Sequence, residues 1–105
     1  MTAKSRLEQI ETMLRNEPND PELRYMLAME HASGGNDAEA VRCFQDLVAR
    51  SPDYAPGYHQ TGRALVRLNR ITEAREILTK GIPIALGQNN QHAAGEMQDL
   101  LVSLE

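Results

Sequence analysis

His59, Arg63, Arg67 and Arg70 follow one another at steps of four, four and three residues, so a helix carrying them presents all four on one stripe. Guanidinium groups in such a row suit anions, because each planar fork offers a carboxylate two parallel hydrogen bonds. Recognition of an acidic or C-terminal peptide segment is the chemistry this spacing favours. Catalysis finds no comparable support. Cys43 falls in a helical apolar pattern beside Phe44, where a free thiol acts as a small hydrophobe, and no histidine is spaced to activate it. His31, His59 and His92 show no metal-ligand spacing among themselves. Glu8 with Glu11, and Glu73 with Glu76, are three apart and read as solvated helix faces. Ser33-Gly34-Gly35-Asn36 matches neither a phosphate-binding loop nor a dinucleotide fingerprint and follows no strand, so it reads as a turn. No enzyme activity, cofactor or metal is expected.

Composition narrows the partners. The 105 residues include one cysteine, three tyrosines, one phenylalanine and no tryptophan, and carry a net charge of −4. A lone cysteine excludes an internal disulfide framework and makes the reducing cytoplasm the expected location. No apolar run approaches the roughly 18 residues of a membrane span, and the N-terminus lacks the core of a signal peptide. Residues 51–86 carry five basic groups against three acidic ones. The overall negative charge and the missing aromatic platform nevertheless argue against RNA or DNA.

The elements that must hold the arginine stripe are helices. Leu, Ala and Met dominate the apolar residues, while β-branched and aromatic types are scarce, which excludes a sandwich or barrel. Apolar residues recur at steps of three and four: Leu7, Ile10, Met13 and Leu14; Val41, Phe44, Leu47 and Val48; Ala74, Ile77 and Leu78; Met97, Leu100, Leu101 and Leu104. Pro18 to Pro21, Ser33 to Asp37, Ser51 to Asp53, Asn69-Arg70 and Gly87 to Asn90 interrupt them. The pattern predicts six helices near 3–16, 21–33, 37–50, 55–68, 71–85 and 90–104. Pro83 should kink or loosen the fifth, since it cannot donate to Thr79. Gly81 removes bulk where the closing helix must dock.

Sliding the chain along itself by a period of about 34 residues superposes Pro18 on Pro52, Glu39-Ala40 on Glu73-Ala74, and Phe44 on Leu78. Helix pairs at this period form stacked arrays in which each hairpin buries its neighbour's apolar face. With Ala40-x3-Phe44 and Pro52 in one unit, and Tyr58, Gly62 and Ala74-x3-Leu78 in the next, the chain resembles the tetratricopeptide repeat (TPR) family. Arg24 in the Trp slot, His31 in the Tyr slot and Thr61 in the Leu slot depart from its pattern. The resemblance implies an all-α, right-handed superhelical stack of antiparallel helix pairs forming one domain over 1–105. Its parts would be a leading helix (3–18), unit one (21–54), unit two (55–88) and a closing helix (90–104).

In that family the first helix of each unit lines a concave groove that holds partner peptides. Carried over by slot, the groove would show Tyr25 and Met29 from unit one, and His59, Arg63, Val66 and Arg67 from unit two, with Arg70 just beyond. An acidic carboxylate would sit against Arg63 and Arg67, and an apolar side chain on Tyr25 and Met29. The implied function is a non-catalytic adaptor that binds a protein or peptide. Two alternatives compete: pairing of the arginines with Glu30, or with Glu96 and Asp99 of the closing helix, and self-association of the array into a homo-oligomer.

Overall fold

The computed structural model describes residues 5–105. Six helices follow in order: α1 (Arg6–Asn16), α2 (Pro21–Ser33), α3 (Asp37–Arg50), α4 (Ala55–Arg67), α5 (Ile71–Gly87) and α6 (Gln91–Ser103). No strand occurs among the described residues. Residues 3 and 4, where the periodicity starts the first helix, lie outside them. Successive helices pack as antiparallel neighbours, and α4 also meets α6, giving an elongated body of 50 × 28 × 20 Å.

Local chemistry sets the helix starts. Ser5 accepts the Glu8 N–H, Asp20 the Glu22 N–H, Asn36 the Glu39 N–H and Asn90 the Ala93 N–H, each satisfying a donor the first turn leaves free. Pro21 sits at the start of α2, where its missing N–H costs nothing. The hairpin turns need left-handed backbone at one residue. Gly35 supplies it between α2 and α3 at φ 78°, and Asn69, one period later, supplies it between α4 and α5 at φ 60°.

The helix starts also show where the repeat is regular. Helices α2 and α4 begin at 21 and 55, and α3 and α5 at 37 and 71, so both pairs keep the period of the sequence. Helix α6 begins at 91, two positions later than that period from α4 would place it, because α5 runs on to Gly87. The loosening expected at Pro83 therefore does not interrupt the helix, which continues for another turn. Pro83 lies on the exposed side, where water can reach the carbonyl its ring leaves without a donor.

Three contiguous clusters form the core. Ala28, Ala40, Phe44 and Leu47 join α2 to α3. Val41, Ala64, Leu65 and Ala74 tie α3 to α4 and α5. Ala55, Tyr58, Leu78, Ala85, Ala94 and Met97 join α4, α5 and α6. Gly81 does what the sequence pattern suggested: a Cβ there would lie 2.5 Å from Tyr58 Cβ and 2.8 Å from Met97 Sδ. Its bare backbone lets the closing helix approach.

Candidate binding groove

The tight packing of α4 fixes the arginine stripe. Ala55, Gly57, Tyr58, Thr61, Gly62, Ala64 and Leu65 are buried on its other faces, and Thr61 donates its hydroxyl back to the Gly57 carbonyl at 2.6 Å. What is left outward is the side of α4 that looks toward α2. There Met29, Ala32 and Ser33 of α2 meet Gln60, Arg63 and Arg67 of α4 around a shallow cavity of about 290 Å³. Three of the seven candidate groove residues, Met29, Arg63 and Arg67, thus line one concavity.

The other four are placed differently. Tyr25 is half-buried, its ring 6.1 Å from Phe44 and 5.7 Å from Tyr54, both tilted. Burial pushes its hydroxyl pKa up, against the hydrogen bond of Gln60 and the nearby charge of Arg63. It therefore supports the floor of the site beside Gln60. Val66 packs against the cluster of Val41, Ala64, Leu65 and Ala74. Arg70 stands at the residue before α5 and binds Glu73 at 2.6 Å, away from the cavity lining. His59 has a side chain only 14% exposed, and Glu96 of α6 stands 3.8 Å from its Nδ1. Burial holds its pKa below the ordinary histidine value, and Arg63 and His92 add to that, while Glu96 opposes it. The closing helix thus covers the His59 end of the stripe and leaves the Arg63 end open.

The arginines differ in their partners. Arg67 donates from Nε to Asp37 Oδ1 at 2.9 Å, a contact across 30 residues that holds the guanidinium in place. Arg63 is exposed and makes no ion pair or side-chain hydrogen bond among the described residues. Two of the three anticipated acidic partners, Glu30 and Glu96, are engaged elsewhere. Glu30 pairs with Arg6 at 3.2 Å, and Glu96 with His92 and His59. Sequence spacing found the stripe but missed Asp37 and Gln60 as parts of the site. Asp37 is visible in the sequence only as an acidic first-turn residue of α3. Cys43 is half-buried and its thiol pKa is raised, chiefly by that burial and by Glu39. A protonated thiol of this kind is a poor nucleophile. No helix among the described residues is long and apolar enough to cross a membrane.

Comparison with known proteins agrees with this architecture. The tetratricopeptide repeat pattern matches residues 1–105. A tetratricopeptide repeat domain protein from Salinibacter ruber is 34% identical in its crystal structure, with a TM-score of 0.77 over 81% of this chain and 94% of that one. Its solution structure gives 35% identity and a TM-score of 0.78, over 84% of this chain and 89% of that one. A Bordetella parapertussis protein shares the fold at 22% identity, with a TM-score of 0.83 over 97% of this chain and 89% of that one. No curated protein sequence matches the chain.

Proposed function

The chain belongs to the tetratricopeptide repeat family, and from that premise we propose that it is a non-catalytic protein-binding module whose ligand is an acidic peptide segment. One observation carries the reading: Arg63 is an exposed guanidinium, without an ion pair among the described residues, on the rim of a concavity otherwise lined by Met29, Ala32, Ser33, Gln60 and Arg67. A carboxylate reaching Arg63 gains a two-pronged hydrogen bond without first breaking an internal ion pair. Arg67, already fixed by Asp37, contributes field and shape with little further loss of side-chain freedom. Met29 offers a pliable apolar wall for the neighbouring side chain of the ligand. The single cysteine fits a reducing, cytoplasmic setting for this work.

The test is affinity capture from a native lysate with wild type beside Arg63→Glu. Arg63 is the right single change, because a glutamate at 67 would also face Asp37 and disturb the α3–α4 contact. Loss of the captured partner at unchanged helical content supports the reading. The same partner retained at the same salt strength by Arg63→Glu would overturn it.

A further inference from the structure

Away from the groove, at the mouth of the α2–α3 hairpin, three side chains of different donor type converge. His31 comes from the last turn of α2, Glu39 from the first turn of α3, and Cys43 from one turn further along. Their donor atoms all lie within 4.8 Å of one another, and all three residues are half-buried. We propose that His31, Glu39 and Cys43 form a binding site for a borderline divalent cation, zinc being the ion their nitrogen, oxygen and sulfur donors suit best.

Backbone chemistry organises the triad before any ion arrives. Asn36 stitches both sides together: its N–H donates to the His31 carbonyl at 2.9 Å, and its side-chain oxygen accepts the Glu39 N–H at 3.4 Å. Gly35 makes that turn possible with its left-handed backbone. Glu39 and Cys43 are four apart on one helix, so they share a face. Arg42 binds Oε2 of Glu39, which orients the carboxylate and leaves its other oxygen for the ion. Tetrahedral zinc, with bonds of about 2.0–2.3 Å, sets its donors about 3.6 Å apart, so side-chain rotation of about 1 Å closes the site.

The second hairpin shows what these positions hold when they only pack. One repeat further on, His31 and Cys43 correspond to Leu65 and Ile77, both members of an apolar cluster. The first hairpin holds ligand types at both positions, although Cys43 also packs against the α2–α3 cluster. Among the described residues, neither the His31 ring nor the Cys43 thiol has a hydrogen-bond partner to explain that difference. Binding would release the Cys43 proton to solvent, form metal–sulfur, metal–nitrogen and metal–oxygen bonds, and leave a fourth position for water.

Anaerobic titration of the reduced, full-length chain with Co²⁺ tests this directly. The expected result is one equivalent bound, with a near-ultraviolet thiolate-to-cobalt charge-transfer band that Zn²⁺ then abolishes. Cys43→Ser should remove the band, and Glu39→Gln should weaken binding by at least about 10-fold, the loss that removing even an outer-shell partner causes. Absence of the band in the wild-type chain overturns the proposal, and so does a band of equal affinity in His31→Gln and Glu39→Gln. Because the first of these needs no substitution, misfolding of a variant cannot rescue the idea.

Discussion

Arg24 on α2 and Tyr58 on α4 occupy equivalent places in successive repeats and meet one requirement with opposite chemistry. Arg24 donates from Nε and Nη2 to the Pro18 carbonyl at 3.1 and 2.6 Å. Tyr58 donates its hydroxyl to the Pro52 carbonyl at 2.7 Å. Pro18 and Pro52 are themselves equivalent in the repeat, so each side chain closes the turn that precedes its own helix. The difference lies beyond that bond. Tyr58 is 1% exposed, under Gly81 and Met97, whereas the Arg24 side chain stays 17% exposed and continues to Asp46 at 2.9 Å. Helix α4 is covered by α3, α5 and α6, while α2 has α1 and α3 beside it. The repeat therefore requires a donor of the right reach in this slot. It requires a buried ring only where helices cover the slot from several sides.

Truncation should expose that asymmetry most strongly. Tyr58→Ala removes a buried ring from the largest cluster and is expected to cost about 3–5 kcal/mol. Arg24→Ala loses a partly exposed side chain with its bonds to one carbonyl and one carboxylate, at about 1–2 kcal/mol. Urea unfolding of both variants measures the two losses. Equal losses would break the comparison, because burial on α4 would then count for nothing.

A second contrast sharpens it. Gly81→Ala places a methyl 2.5 Å from Tyr58 Cβ, an atom that cannot swing away, so it should destabilise by about 1–3 kcal/mol despite the better helix propensity of alanine. Gly95→Ala on the exposed side of α6 meets nothing within 4 Å and should stabilise by about 0.5–1 kcal/mol. Opposite signs in thermal melts are the expected outcome. Two gains would mean that α5 does not approach Tyr58 of α4 and Met97 of α6 as closely as Gly81 allows.

Local and periodic features were legible in the sequence for a physical reason. Helix ends depend on residues within a few positions, such as Asp20 or Asn90, and core positions such as Phe44 and Leu78 repeat with the fold. Long-range polar contacts carry no period. The Arg67–Asp37 pair spans 30 residues, and the Glu96 contact to His59 spans two helices. The closing helix, read from 90, begins at Gln91, whereas the last two residues of α5, up to Gly87, lie beyond the end read at 85. The stripe was therefore readable, but which of its arginines is free was not. In the sequence His31 fills the Tyr slot and Cys43 an apolar position, and nothing in their spacing from Glu39 shows that the α2–α3 turn brings the three donors together.

The smallest expected effect asks whether the Pro18 slot cares about residue type at all. Arg24→Tyr gives up the ion pair with Asp46, a partly exposed contact worth about 0.2–1 kcal/mol, and Arg50 remains to hold that carboxylate at 3.1 Å. In return the ring can donate to the Pro18 carbonyl as Tyr58 does to Pro52, and lay apolar area against the α2–α3 cluster. The net change should stay within about 1 kcal/mol of wild type. Arg24→Phe supplies the same ring without the donor, so it should fall below Arg24→Tyr by about 1 kcal/mol. Chemical unfolding of the pair reads that gap. If phenylalanine matched tyrosine, the bond to the preceding turn would not be what the slot selects, and the likeness between Arg24 and Tyr58 would reduce to shared position.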